Sequence, residues 1–202
     1  MTSITPTMID KVQAQFAASA ALLRQVAELQ AARLAEVARV MIEAMRAGRK
    51  IMVCGNGGSA ADAQHFAAEM IGRFRKERAP LPTLALSTDT SVLTAVGNDY
   101  GFERVFVRQV EGLGVKGDVL VGISTSGNSA NVAEALRYAR AHGITTVGIL
   151  GSDGGIIAQE CDYALIVPSK ESARIQECHA VIIHALCDLV EEELAHDSGR
   201  AR

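Results

Sequence analysis

Hydrophobic positions change their period once along this chain, close to Lys50. Before that point, residues 8–29 and 31–45 are rich in Ala, Gln and Leu, with apolar side chains at helical spacing. The pattern predicts two helices; with no Gly or Pro between them, one bent helix is the alternative. Gly48 stands where the residue just past a helix C-terminus is expected. After Lys50, short and wholly apolar runs alternate with helical stretches. The runs at 51–54, 83–86, 119–123, 145–150 and 163–167 read as strands buried on both faces. Helical patterns lie between them near 60–74, 91–96 with 102–111, 130–141 and 156–159, and a last helix covers 172–194. This alternation predicts an α/β fold, a doubly wound five-stranded parallel sheet flanked by helices, with sites at the carboxyl ends of the strands. Residues 1–48 are expected to form a helical oligomerisation segment, and 49–202 one compact domain.

Composition agrees with this. The chain of 202 residues is 49% hydrophobic but only 4% aromatic, without Trp, which suits helices on a parallel sheet better than an all-β sandwich. A net charge of -3 gives no basic footprint for nucleic acid. No apolar run approaches the roughly 20 residues that span a bilayer, and no signal-peptide h-region is visible. Cys54, Cys161, Cys178 and Cys187 are scattered with no C-x-x-C pair, as in a protein with reduced thiols. A soluble, cytoplasmic protein is expected.

Two loops follow a predicted strand and open a helix. Gly55-Asn56-Gly57-Gly58-Ser59 is neither G-x-G-x-x-G nor a Walker loop, but its glycines allow close backbone approach to an anion at a helix N-terminus. Ser124-Thr125-Ser126-Gly127-Asn128-Ser129 offers four hydroxyls in six residues beside the unpaired N–H groups of the next helix. Capping accounts for one serine, Ser129, but not for four hydroxyls. A phosphate dianion is the ligand such a loop suits.

The remaining polar candidates are ambiguous from spacing. His65 and Glu69 share one helix face, which on its own is the pattern of a solvated pair. On the last helix Gln176 and His184 are separated by about 80°, and Gln176 and His179 by about 60° on the other side. Helical geometry leaves both histidines open. Asn98-Asp99 follows Gly97 and reads as a turn between helical segments. His142 and His196 read as surface or helix-end residues.

Taken together, the runs Cys54-Gly55-Asn56-Gly57-Gly58-Ser59, Gly97-Asn98-Asp99, Gly122-Ile123-Ser124-Thr125-Ser126-Gly127-Asn128-Ser129 and Arg174-Ile175-Gln176-Glu177 resemble the phosphoheptose isomerases of the sugar-isomerase (SIS) superfamily. The similarity extends from about residue 49 to 194. It implies conversion of sedoheptulose 7-phosphate to D-glycero-D-manno-heptose 7-phosphate, an early step toward the activated heptose of bacterial surface glycans such as lipopolysaccharide. It implies a homotetramer with sites at subunit interfaces. Substrate contacts are implied for Asn56, Gly57, Gly58, Glu69, Arg73, Asn98, Asp99, Ser124, Thr125, Ser126, Ser129 and Gln176. The resemblance further implies Glu69 and His184 as the catalytic base and acid, and one Zn²⁺ per subunit on His65, Glu69, Gln176 and His184. The alternative is a non-catalytic SIS protein that binds the DnaA replication initiator, which the segment Ser172-Ala173-Arg174-Ile175-Gln176 resembles locally. That branch lacks the counterparts of Glu69 and His184, both present here.

Overall fold

The computed structural model describes residues 6–198. The predicted helical pair is one helix, α1 (Pro6–Arg46), with no break between its halves. Ala and Leu keep the 3.6-residue period without a Gly or Pro, so nothing in the sequence interrupts the backbone hydrogen bonds. It stops at Gly48, whose φ of 71° lets the Gly48 N–H reach the Met45 carbonyl and the Arg49 N–H reach Ala44. Those two bonds make a Schellman cap. His196, at the end of the chain's last helix, has a side chain outside the described residues, as do the extreme ends of the 1–48 and 49–202 segments.

All five predicted strands form: β1 (Ile51–Gly55), β2 (Thr83–Ala85), β3 (Val119–Ser124), β4 (Thr145–Gly151) and β5 (Tyr163–Val167). Between them lie α2 (Gly58–Ile71), α3 (Thr90–Tyr100), a 3₁₀ turn (Phe102–Arg104), α4 (Val107–Leu113), α5 (Ala130–Ala141) and α6 (Ile157–Glu160), and α7 (Ser172–Ser198) follows. The sheet is wholly parallel, in the order β2-β1-β3-β4-β5.

Alternating strand residues face two separate cores, as the pleat requires. Val53, Val121 and Ile149 pack with Met41 of α1, Phe66 and Met70 of α2, and Ile183 of α7. Met52, Leu120 and Leu150 pack with Phe106, Val110, Leu136 and Ile157. The chain turns in opposite directions from β1 to β2 and from β1 to β3, so the gap between the carboxyl ends of β1 and β3 is the topological switch point where open α/β sheets bind ligands.

Candidate active site

Both sequence-identified loops leave the sheet at this switch point. Gly55 is in register with Ile123, so the loops after β1 and β3 start side by side. A reciprocal amide pair ties them together. Asn56 Nδ2 donates to Asn131 Oδ1, and Asn131 Nδ2 donates to Asn56 Oδ1, both at 2.9 Å. Asn131 is buried in the first turn of α5, and its Oδ1 also accepts the Val132 N–H at 2.9 Å, which fixes the orientation of both amides. Asn56 therefore commits its side chain to this tie. Asn131 escaped the sequence reading because a polar residue in a helix's first turn is ordinary; its only signal was adjacency to Ser129.

In the second loop, Ser124 Oγ lies 2.9 Å from Ser129 Oγ and 3.5 Å from Ser126 Oγ. Ser126 Oγ accepts the Asn128 N–H at 3.1 Å, and Asn128 Nδ2 donates to the Ser126 carbonyl at 2.9 Å. Ser129 occupies the N-cap position of α5 but makes no capping bond; its hydroxyl turns to Ser124 instead. The turn after β4 supports the loop from behind, with the Ile157 N–H on the Gly127 carbonyl at 3.0 Å and the Ile156 N–H on Asn128 Oδ1 at 3.2 Å. Three converging hydroxyls and the positive end of the α5 dipole suit a phosphate dianion without a Lys or Arg. Thr125 sits half-buried within this loop.

Helices α2 and α7 run beside each other and carry the other candidates. At their first turns Gln176 lies directly against Gly58: a Cβ there would overlap its side-chain amide, which would have to move aside. About two turns further along α2, His65 Nε2 lies 2.8 Å from His184 Nε2, with the rings at 67° and 5.1 Å between centroids. Glu69 Oε1 is 3.7 Å from the same His65 nitrogen. The Phe74 ring lies 5.6 Å from the His184 ring and forms one wall. His65, Glu69 and His184 are thus gathered at one point, while Gln176 stands at the other end of the helix pair.

The structure separates the two α7 histidines that helical geometry left open. His184 is exposed beside His65, whereas His179 is fully buried. Burial pushes the His179 imidazole down to about 4, and the Leu150 backbone offsets part of that shift. Neither ring nitrogen completes a hydrogen bond within geometric limits. On α2, Asp62 has a buried, unpartnered Oδ2, and burial raises its carboxyl above the usual range against the pull of His65.

Asn98 and Asp99 do not lie in a connection between helices but in the last turn of α3, where Asn98 Nδ2 donates to Asp99 Oδ1 at 2.8 Å. Both are exposed, because α3 continues through Gly97 to Tyr100. Arg73 is also exposed, with Nε 3.9 Å from Glu77. None of the three hydrogen-bonds to the other candidates among the described residues.

A family model for the SIS domain matches residues 15–151, and the sheet with its serine loop is accordingly that of a SIS-domain protein. The chain is 56% identical to the phosphoheptose isomerase of Geobacter sulfurreducens over 187 residues, 93% of this chain and 99% of that one. It is 53% identical to that of Aquifex aeolicus over 191 residues, covering 95% and 100%. The solved phosphoheptose isomerase of Neisseria gonorrhoeae superposes with a TM-score of 0.87 at 47% identity, covering 92% of this chain and 99% of that one. The chain belongs to the phosphoheptose isomerase family. The initiator-binding alternative receives no support from these relatives.

Proposed function

We propose that this protein interconverts sedoheptulose 7-phosphate and D-glycero-D-manno-heptose 7-phosphate. The observation that carries the reading is the meeting of a carboxylate and an imidazole from different helices at His65, with Glu69 and His184 3.7 and 2.8 Å from its Nε2. An aldose–ketose isomerisation needs a base and an acid, and such a pair can serve as both. Glu69 removes a proton from C1 of the ketose while His184 donates one to the C2 oxygen, giving the enediol. His184 then takes the proton of the C1 hydroxyl, and Glu69 returns its proton to C2. The aldose is released with both groups restored.

Phosphate and chemistry belong at opposite ends of such a substrate. The serine loop holds the phosphate on C7, and the imidazole–carboxylate group on α2 and α7 works at C1 and C2. The anchor is held by hydroxyls and backbone dipoles, so it binds without supplying acid or base.

The donor chemistry at His65, Glu69 and His184 fits a zinc ion, because two imidazole nitrogens and a carboxylate oxygen converge there. Among the described residues no group of three or more His, Cys, Asp or Glu side chains is drawn close enough to hold a metal ion, so Glu69 would have to swing in toward the two imidazoles, and Gln176, standing against Gly58, would have to reach along the helix pair to join them. When bound, zinc would supply Lewis-acid polarisation of the substrate carbonyl. Assembly through α1 into a tetramer belongs to the same reading. Met8, Ile9, Val12 and Phe16 are exposed along its first turns, Phe16 at 75%, a surface that a second copy would cover. No helix of the described residues is long and apolar enough to cross a membrane, and we place the enzyme in the cytoplasm, feeding heptose to surface glycans. The test is turnover of sedoheptulose 7-phosphate in a coupled assay, with and without a chelator. Turnover lost with chelator and restored by zinc is expected; no turnover in zinc-replete enzyme overturns the reading.

A further inference from the structure

Beyond the site itself, the molecule buries a second polar assembly that neither the anchor nor the acid–base pair uses. Glu191 of α7 and Arg78, in the segment after α2, have side chains 1% exposed each, and Arg78 Nε lies 3.0 Å from Glu191 Oε1. That N–H is not aimed at the oxygen, so the attraction is ionic in character. Glu191 spends its lone pairs elsewhere. Its oxygens accept the successive N–H groups of Phe74, Arg75 and Lys76 at 2.8, 2.6 and 2.8 Å.

Arg78 faces the other way, onto the end of α2. Its NH2 group donates to the Glu69 carbonyl at 2.9 Å, and its NH1 group to those of Met70 at 2.9 Å and Ala79 at 3.1 Å. These include carbonyls in the last turn of the helix, where a cation is favoured. One side of the assembly therefore grips the backbone of Glu69 itself. The other grips the backbone of Phe74, whose ring lies against His184. Glu191 is two turns along α7 from His184, so a single buried pair ties the helix bearing the carboxylate to the helix bearing the imidazole.

Energetics argue against stability as the sole purpose. Burying an ion pair costs about as much desolvation as its attraction returns, and well-packed apolar replacements are often as stable. Positional precision is what such a pair can supply, and a displacement of about 1 Å can cost a hundredfold in rate.

We propose that Glu191 and Arg78 are positioning residues that fix the end of α2 against α7 and thereby set the spacing of Glu69 and His184. The inference rests on the isomerase reading for its kinetic consequence, though not for its geometry. In Glu191→Gln, kcat for sedoheptulose 7-phosphate falls about tenfold to a hundredfold, while KM stays within about threefold because the serine loop is untouched. Arg78→Lys keeps the charge in place but loses the fork to Glu69 and Met70; it carries the test should the first variant fail to fold, and its kcat falls in the same way. Melting curves give the folded fraction of each. A folded variant with kcat within twofold of the parent, or a loss that only follows the folded fraction, overturns the proposal. Imidazole NMR of the full-length protein supplies a readout independent of turnover: His65 and His184 resonances move in either variant at fixed pH, and that of His142 stays. Unmoved His65 and His184 resonances overturn the positioning role. Absence of turnover in the parent enzyme would instead dismiss the isomerase reading and leave the NMR comparison to decide.

Discussion

The proposed phosphate anchor and the α2–α7 centre stand on one sheet and its helices yet are organised over very different lengths of chain. Hydrogen bonds within residues 124–129 join partners two to five positions apart. The imidazole pair joins residues 119 apart, and the Glu191 bonds that frame it join residues 115 to 117 apart. The hydroxyl cluster of the anchor can thus be shaped by its own segment once β3 and α5 form, with the turn after β4 bracing it from behind. The proposed acid–base centre exists only after two distant helices have packed. Binding and chemistry should therefore fail separately.

Removing the chemistry gives the largest effect. Glu69→Gln and His184→Gln should each lower kcat by about a thousandfold or more, within the range general acid–base catalysis supplies. Melting temperature and binding of sugar phosphate, measured by calorimetry, should stay close to the parent's. Weakening the anchor should do the reverse. Ser124→Ala or Ser129→Ala removes a hydrogen bond to a charged oxygen, worth about 1.5–3 kcal/mol, and should raise KM roughly tenfold or more with little change in kcat. Asn131→Ala tests the joint between the loops. It leaves the Asn56 amide unpaired in a half-buried place and should cost about 1–3 kcal/mol of stability, read from denaturant unfolding, with KM rising as the loops separate.

The same contrast explains what could be read from the chain. Five strands, the sheet class and the serine loop were legible because each is written in contiguous residues: apolar runs, turn residues, hydroxyls at a strand end. The misreadings are of two kinds. The placement of Asn98-Asp99 in a turn was an error of boundary, where Gly97 hid that the helix continues; for α1 the missing Gly or Pro had already offered the single helix as the alternative, and that is the one that forms. Arg78 and Glu191 left no signal and Asn131 only its nearness to Ser129, since a lone polar or charged residue in a loop or on a helix is ordinarily solvated and only the fold brings these to their partners. His184 fell between these cases: spacing placed it on a usable face, and only the packing of α7 on α2 separated it from His179.

That last distinction can be tested by acid. His179 is buried with its imidazole pushed down to about 4 from an ordinary value of 6.5. Between those values the unfolded chain binds a proton that the folded protein refuses. Stability contributed by the neutral ring is therefore whole above pH 6.5 and is lost as pH falls toward 4, by about 1 kcal/mol between pH 6.5 and 5.5. His179→Leu, which fills the same apolar place without a titrating group, should remove that part of the acid slope and leave turnover at pH 8 unchanged. Denaturant unfolding of both proteins at pH 7, 6.5 and 5.5 measures it, because groups shared by the two cancel in the difference. An identical slope would show that the ring is charged in the folded state, and the separation of a structural histidine from a catalytic one on α7 would then rest on exposure alone.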